Sequence, residues 1–164
     1  MELSLRELNI SDLDEFVEIF NEKDVAEQLI GFKFPLSIDE AKDKLQEIID
    51  LNRKGDYYEF AIIANRKFVG TVCLEKPTED KKTFTLGYAI GKKYWNRGIA
   101  SMAVEKILNF GFNGLKLEKI VADNDDDNPA SARVLEKNGF KFVKKVKKKK
   151  NNVLFWEKVN PEFE

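Results

Sequence analysis

Apolar residues recur along the first part of the chain with two different periods. Leu3 and Leu5 alternate with polar residues, a pattern typical of a strand with one buried face. From Leu13 to Phe20 the apolar residues recur instead at helical spacing, and Ser11 precedes them. The sequence therefore predicts an opening strand followed by a helix.

A second helix is predicted to begin at Ser37. Ser37 and Glu40 have the spacing of a capping box, and apolar residues between Ala41 and Ile49 follow on one helical face. Gly55 is the first residue suited to a helix C-terminus. The predicted helix ends there.

Strand-like segments dominate the middle of the chain. Residues 58–64, 68–74 and 83–90 are rich in aromatic and β-branched residues and are separated by polar turns, which predicts an antiparallel meander. After Gly98 the apolar residues return to helical spacing, and residues 117–122 read as a short buried strand. This strand-helix-strand order predicts a parallel crossover.

The C-terminal third begins with a strong helix signal. Asn128 suits an N-cap, Pro129 suits the first helical turn, and Gly139 suits the position after the helix. Residues 140–146 and 153–159 then predict two strands joined by a turn around residues 151–152. With 164 residues and no linker, we expect residues 1–164 to form a single α/β domain.

Composition excludes several classes of function. The 28 basic and 29 acidic residues nearly cancel, so no overall field favours nucleic acid or a membrane surface. The chain has no His, which excludes Ser-His-Asp and Cys-His catalysis, and we expect no metal site. Cys73 is the only cysteine and the N-terminus lacks the apolar core of a signal peptide, so a cytoplasmic location is expected.

One segment has the chemistry of an anion site. Residues 94–101 read Tyr-Trp-Asn-Arg-Gly-Ile-Ala-Ser and lie between a predicted strand and a predicted helix, where backbone N–H groups converge at the helix N-terminus. Gly98 permits close approach of a ligand, and Arg97, Lys92 and Lys93 can offset phosphate charge. A pyrophosphate would fit this segment, although an isolated glycine motif more often marks an ordinary turn.

The order of motifs resembles that of the GNAT acetyltransferases, and most closely the branch with the RimJ and RimL ribosomal-protein N-terminal acetyltransferases. The resemblance spans essentially the whole chain and rests on Gly87-Tyr88, residues 94–100 and the block from Asn128 to Phe140. It implies the GNAT fold: a mixed, mostly antiparallel sheet of about seven strands flanked by helices, with the fourth and fifth strands splayed apart.

The resemblance also implies the cosubstrate and its binding residues. Acetyl-CoA is expected to place its pyrophosphate on backbone amides of the loop and helix start, and its pantetheine arm along the end of the fourth strand. The implied contacts are Ala89, Ile90, Asn96, Arg97, Gly98, Ile99, Ala100, Ser101, Asn128 and Ser131. A backbone N–H at the end of that strand would polarise the thioester carbonyl.

The implied reaction is direct attack of a neutral amine on the thioester, with no covalent enzyme intermediate. Two departures from the family pattern bear on it. Thr85 occupies the place where many relatives have a Glu that serves as general base, and Leu135 occupies the place of a catalytic Tyr in other branches. Glu75 is then a candidate base, with Glu59 as the alternative, either of them acting through water, and Ser131 is the candidate that protonates the leaving thiolate.

The missing base favours an acceptor that loses its proton easily. Deprotonating a lysine amine near neutral pH costs roughly 3.5 kcal/mol more than deprotonating an α-amine. We therefore expect a protein or peptide α-amine as acceptor, of the ribosomal-protein N-terminal type. The alternatives are a small-molecule amine such as a polyamine or an aminoglycoside, and a non-catalytic sensor that binds CoA.

Two charge runs allow opposing interpretations. The run of lysines over residues 144–150 is interpreted as a solvated hairpin turn, with contact to ribosomal RNA as the alternative and no specific nucleic-acid partner expected. The acidic run over residues 123–127 is interpreted as an exposed loop, with attraction of a cationic acceptor as the alternative.

Three phenylalanines are candidates for the acceptor groove, though packing in the core is the commoner role of such residues: Phe32, Phe34 and Phe155. No membrane partner is expected, and the protein is a monomer or a homodimer.

Overall fold

A computed structural model describes residues 1–29, 33–76 and 79–164. Its strands are β1 (Leu3–Glu7), β2 (Tyr57–Ala64), β3 (Lys67–Glu75), β4 (Thr83–Ile90), β5 (Lys119–Asp125), β6 (Lys141–Lys147) and β7 (Asn152–Val159). Its α-helices are α1 (Leu13–Phe20), α2 (Lys23–Ala26), α3 (Ile38–Lys54), α4 (Ile99–Asn109) and α5 (Pro129–Lys137). A π-helical turn (Phe110–Gly114) extends α4.

The strands form a seven-stranded mixed sheet in the order β1-β2-β3-β4-β5-β7-β6. Strands β4 and β5 are parallel and pair from Thr83 opposite Lys119 to Thr85 opposite Val121. Beyond that last pair β4 continues to Ile90 and β5 to Asp125. The predicted fold class, a mixed sheet with a parallel β4–β5 pair and flanking helices, is confirmed.

The chain divides into two compact units. The first comprises Met1–Cys73 and Tyr88–Ala103, and the second comprises Leu74–Gly87 and Val104–Glu164. In the first unit, helices α1 and α3 bury one apolar face each, and the rings of Phe16 and Phe20 stack with centroids 4.3 Å apart. The core of this unit contains Leu8, Phe16, Ile19, Phe20, Val25, Ala41, Leu45, Ile48, Ala61 and Ala89.

The second unit is built around β5, which pairs with β7 along its whole length. Trp156 of β7 lies buried opposite Ala122 of β5, and Leu135 of α5 is also buried. Asn160, just after β7, donates its side-chain amide to the Leu117 carbonyl at 2.9 Å. This bond fastens the end of the chain to the segment before β5.

Helix boundaries agree with the capping residues of the sequence. Ser37 Oγ accepts the Glu40 backbone N–H at 3.1 Å, and Gly55 closes α3 in the left-handed conformation (φ 83°). Gly139 follows α5 in the same conformation (φ 83°). These predicted helix ends are confirmed because capping depends on local residues alone.

Two sequence expectations are wrong in detail, and one short helix was missed. Helix α2 was not predicted, since four residues show no period. Residues 123–125 lie in strand β5 rather than in a loop, because β7 supplies backbone partners that their own polarity does not reveal. The last hairpin turns at residues 148–151, before β7 begins at Asn152.

An ion pair between the exposed Arg6 and the buried Asp12 fixes the entry to α1. Asp12 is 5% exposed and accepts two hydrogen bonds from the Arg6 guanidinium, at 2.7 and 2.9 Å. The same carboxylate accepts the Asn9 backbone N–H at 2.8 Å in a capping box. Burial alone would raise the pKa of Asp12, but the bonds from Arg6 and Asn9 outweigh burial and hold it below its usual range.

We expect Asp12→Ala to lower the free energy of unfolding by about 2 kcal/mol at neutral pH. Because the folded-state pKa of Asp12 is lowered, this stabilisation is present above the unfolded pKa of about 3.9 and is lost as pH falls through the folded value. Urea unfolding across this pH range measures the difference between the two proteins. The exposed Asp14, in the first turn of α1, gives the control Asp14→Ala. A gap that stays constant as the pH falls through this range would contradict the assignment.

Candidate functional site

The segment that joins β4 to α4 is held against the end of β4. The Trp95 indole N–H donates to the Ile90 carbonyl at 2.7 Å, and residues Lys92–Tyr94 form one turn of 3-10 helix before it. Asn96 (φ 60°) and Gly98 (φ 78°) are both left-handed and flank Arg97. The chain therefore curls tightly just before it enters α4.

The start of α4 offers backbone donors to a ligand. The Met102 N–H donates to the Gly98 carbonyl at 3.1 Å. The N–H groups of Ile99, Ala100 and Ser101 come before this bond, at the end of the helix where N–H groups have no carbonyl of the same helix to bind. A methyl group built on Gly98 would have no protein atom within 4 Å. Helix N-termini with open space before them suit anions, so these residues fit a pyrophosphate. Arg97 is exposed beside them.

Lys92 and Lys93 do not face this anion site as the sequence suggested. The Lys92 side chain is ion-paired with Asp24, and its backbone N–H donates to Glu22 Oε2 at 2.9 Å. Lys93 Nζ lies 3.2 Å from Glu18 Oε1. The hydrogen bond and charge of Asp24 raise the pKa of Lys92. Both lysines therefore tie the loop to α1 and α2, and Arg97 is the side-chain cation left to the site from this trio.

The end of β4 is packed tightly against β3. Ala89 and Ile90 are 7% exposed, and the Gly91 N–H donates to the Val69 carbonyl at 2.9 Å. A methyl group on Gly70 would lie 2.1 Å from the Ala89 oxygen, so only glycine permits this close approach. The backbone that would lie beside a pantetheine arm is thus held rigidly.

In the second unit, Asn128 caps α5 as predicted. Its Oδ1 accepts the Ser131 backbone N–H at 3.2 Å, and Pro129 occupies the first turn. The cap uses the oxygen of the Asn128 amide, so its Nδ2 group is the donor suited to a ligand. Ser131 is half-buried in the first turn of the same helix. The cap therefore fixes the backbone of Ser131.

Asn124 positions this region and was missed by the sequence analysis. It is 6% exposed and accepts the Trp156 indole N–H at 2.7 Å. Its amide donates to the Asp125 carbonyl at 2.8 Å and to the Asn128 carbonyl at 3.3 Å. Asn124 therefore joins β5, β7 and the start of α5. Its position inside an acidic run masked it, because such runs usually mark solvated loops.

Asp123 is a second residue whose role the sequence did not reveal. It lies on β5 two residues beyond Val121, the last residue paired with β4, and opposite Phe155 of β7. Alternation along the strand places Asp123 and Asp125 on one face of the sheet, the face opposite to that of Asn124. Asp123 is exposed to solvent along part of its surface. Its pKa is nevertheless raised, first because neighbouring atoms partly desolvate the carboxylate and second because Asp125 is negatively charged.

The other carboxylates considered as bases have different surroundings. Glu75 is exposed at the last position of β3. Glu59 is 6% exposed, and its Oε2 accepts the Tyr57 hydroxyl at 2.6 Å. Burial, Glu59 and the nearby Cys73 raise the pKa of Tyr57 above its ordinary value. Glu59 is therefore part of a buried polar cluster in the first unit.

Several remaining candidates occupy structural positions or lie outside the description. Leu135 is 1% exposed and belongs to the core of the second unit. Phe155 is half-buried with Lys144 Nζ 5.5 Å above its ring, whereas Phe34 is 43% exposed. Phe32 lies outside the described residues.

The described residues also limit what other chemistry and location the chain supports. Within residues 1–29, 33–76 and 79–164, no three His, Cys, Asp or Glu side chains are grouped as a metal ion requires. Over the same ranges, every helix is too short or too polar to span a bilayer.

Comparison with known proteins agrees with these features. A family model described as an acetyltransferase (GNAT) domain matches residues 2–141. The uncharacterized N-acetyltransferase p20 of Bacillus licheniformis is 28% identical over 140 residues, which are 84% of this chain and 78% of that protein.

Two solved structures show the extent of the shared fold. The ribosomal-protein-S5-alanine acetyltransferase of Vibrio fischeri has a TM-score of 0.87 and 21% identity, and covers 100% of this chain and 96% of its own. The spermidine N-acetyltransferase of Vibrio cholerae, solved with CoA and spermine, has a TM-score of 0.84 and 19% identity, and covers 98% and 97%. At these identities the similarity establishes the fold.

Proposed function

The chain belongs to the GNAT family of acetyl-CoA-dependent N-acetyltransferases, and on that premise we propose that its acceptor is the α-amine of a protein or peptide. The observation that supports this acceptor is Thr85. Thr85 lies in the last pair between β4 and β5. It occupies the position at which many related enzymes have a Glu that serves as general base. The similarity to a ribosomal-protein acetyltransferase is in keeping with the RimJ and RimL branch.

The argument for an α-amine is one of proton affinity. An α-amine with a pKa of about 7.8 is partly neutral at cellular pH, whereas a lysine amine with a pKa of about 10.4 is almost wholly charged. The difference corresponds to roughly 3.5 kcal/mol that an enzyme must supply to the lysine but not to the α-amine. A site without a strong base therefore suits the α-amine.

The cosubstrate would be held mainly by backbone groups. The N–H groups of Ile99, Ala100 and Ser101 would bind the pyrophosphate, with Asn96, Arg97 and Gly98 shaping the loop around it. Ala89 and Ile90 would lie along the pantetheine arm, and the Asn128 amide would donate to it. Acetyl-CoA supplies the activated acetyl group as a thioester.

The protein's own groups would act at two points of the reaction. A backbone N–H near Ile90 would stabilise negative charge on the carbonyl oxygen. The Ser131 hydroxyl would pass a proton to the departing sulfur and take one from water in the same step, so that the hydroxyl is restored. Asp123 or Glu75 would receive the proton of the amine, directly or through water. We favour Asp123, because it lies on β5 two residues beyond the last pair with β4. Even with a raised pKa a carboxylate is a weak base, which suits an α-amine better than a lysine amine.

A small cationic amine is the second candidate acceptor. Asp123 and Asp125 lie on one face of β5 and would attract an ammonium group, and the fold is shared with a spermidine acetyltransferase.

We propose further that residues 1–164 act as one domain, as a monomer or a homodimer. We also propose a cytoplasmic location, which is in keeping with the single cysteine.

A panel of acceptors tests the proposal. Thiol release from acetyl-CoA would be measured with peptides that have a free α-amine, the same peptides with a blocked α-amine and a free lysine, spermidine and an aminoglycoside. We expect kcat/KM for the α-amine to exceed that for lysine at least tenfold, a difference of about 1.4 kcal/mol. Preference for spermidine would favour the second candidate. Tight acetyl-CoA binding without acceptor-dependent release would indicate a sensor.

We expect Asp123→Asn to lower kcat about tenfold with a peptide acceptor and to remove the acid limb that the base adds to the pH-rate profile below the α-amine's own pKa of about 7.8. The base acts when deprotonated, so in the unaltered enzyme activity falls as pH drops through the raised pKa of Asp123. Asp127→Asn, an exposed residue beyond the strand, is the matched control. If Glu75→Gln instead removes the limb, then Glu75 is the base.

A further inference from the structure

The hairpin of β6 and β7 contains the most concentrated charge in the chain. Seven of the ten residues from Lys141 to Lys150 are lysines, and none is acidic. All of them are exposed, and among these ten residues only Val146 is partly buried. In a protein with a formal net charge of −1, this segment is a strong local exception.

Strand β6 is also an edge strand of the sheet, and β7 pairs with only one of its two edges. Another strand could in principle add to that edge. Two features oppose strand addition: a register shift at Val143 distorts the ladder, and the flanking lysines repel a second copy of the same edge. Binding by side chains rather than by backbone is the remaining option.

An exposed aromatic ring lies among these lysines. Phe142 is 53% exposed and lies opposite Trp156, with ring centroids 5.7 Å apart and planes at 76°. Lys145 and Lys147 lie opposite Leu154 and Asn152, so they share the face of the sheet on which Phe142 stands. The buried Trp156, anchored by Asn124, fixes the position of the Phe142 ring.

Three acidic residues near the hairpin have partners in the structure. Asp126 and Asp127 accept hydrogen bonds from the side chains of Asn152 and Asn151. Glu157 of β7 lies 3.6 Å from Lys119 Nζ on β5. The neutral Asn amides do not cancel the charges of Asp126 and Asp127, so these carboxylates offset part of the lysine charge at the hairpin turn. The lysines of β6 are exposed, and phosphates would lie on them.

We propose that residues 141–150 form a binding surface for single-stranded RNA. Phosphates would lie on the lysines, and one base would stack on Phe142. Lysines interleaved with an exposed, rigid aromatic ring are the recurring elements of such surfaces. The choice of RNA over DNA rests on the proposed function, because ribosomal proteins are bound to RNA. The surface reads backbone charge and stacking rather than sequence.

Fluorescence anisotropy on the full chain tests the proposal without any acetylation readout. The probe is a labelled, unstructured RNA of about 20 nucleotides, long enough for one site. With about four phosphate contacts, affinity should fall about 50-fold between about 50 and 200 mM salt. Saturating acetyl-CoA should leave the RNA affinity unchanged. Because the measurement does not depend on acetylation, a failure of the acetylation proposal would not alter its result.

Two variants and a charge-matched control locate the surface. The triple variant K145E/K147E/K149E should weaken RNA binding at least tenfold and reduce the log-log salt slope by about 2. Lys42, Lys54 and Lys67 are exposed lysines of the first unit, and K42E/K54E/K67E should bind RNA as the unaltered protein does. Phe142→Leu keeps an apolar side chain against Trp156 but should weaken binding about tenfold.

Four outcomes would overturn the proposal. The first is an absence of RNA binding at low salt by the folded protein. The second is an equal loss in both triple variants, which would reflect net charge alone. The third is single-stranded DNA of the same sequence bound more tightly than RNA. The fourth is competition by polyglutamate as effective as that of unlabelled RNA, which would indicate an acidic protein partner.

Discussion

Replacing Gly98 with alanine is expected to weaken acetyl-CoA binding about 100-fold, a loss of about 2.7 kcal/mol. Gly98 is left-handed (φ 78°), and a methyl group there meets no protein atom within 4 Å. The folded chain therefore accommodates the methyl group at the cost of backbone strain alone, about 1 kcal/mol. The open space it occupies is where a pyrophosphate would approach the N–H groups of α4. Calorimetric titration with acetyl-CoA measures the effect.

Gly55→Ala separates the ligand effect from the strain. Gly55 is also left-handed (φ 83°), but it closes α3 and lies outside the β4–α4 loop. Both variants should lose a similar amount of thermal stability, and only Gly98→Ala should lose affinity. Equal affinity in Gly98→Ala and the unaltered protein would remove this loop from the cosubstrate site.

The elements that could be predicted from sequence are those set by local chemistry. The ends of α3 and α5 follow from Ser37, Gly55, Asn128 and Gly139, each of which acts on its own helix terminus. The loop before α4 follows equally from local residues, since Gly98 permits the left-handed turn that opens the helix. Motif order then sufficed to predict the fold and the cosubstrate.

What the sequence could not reveal depends on partners far along the chain. Lys92 and Lys93 were expected to offset phosphate charge, but acidic residues 68 and 75 positions away pair with them. Such pairs have no sequence period, so pattern analysis assigns these side chains to solvent or to ligand instead.

The end of β5 illustrates the same limit in a strand. Asp123 and Asp125 have low intrinsic preference for a strand, yet antiparallel pairing with β7 extends β5 through both. That extension places an acidic pair on the sheet beyond the point where β4 stops pairing. The difference matters for function, because a carboxylate on a strand has a fixed direction and one in a loop does not.

Substituting Ser131 is expected to affect catalysis rather than folding. We expect Ser131→Ala to lower kcat about 100-fold, at the lower end of the effect of a general acid, with the KM for acetyl-CoA nearly unchanged. The reason for separating the two effects is structural. Asn128 Oδ1 accepts the backbone N–H of Ser131, so the cap of α5 survives the loss of the hydroxyl. Steady-state kinetics with saturating peptide acceptor measures both parameters.

The departing thiol has an ordinary pKa of about 8.5, so near neutral pH its thiolate gains from a proton supplied as the bond to the acetyl group breaks. Ser131→Thr retains a hydroxyl at the same position and should recover most of the rate. Asn128→Asp retains the cap of α5 but loses the amide donor, so it should raise the KM for acetyl-CoA instead. A kcat for Ser131→Ala equal to that of the unaltered enzyme would mean that water protonates the thiolate. A Ser131→Ala protein that unfolds readily would show that the hydroxyl belongs to the structure of α5 rather than to the reaction.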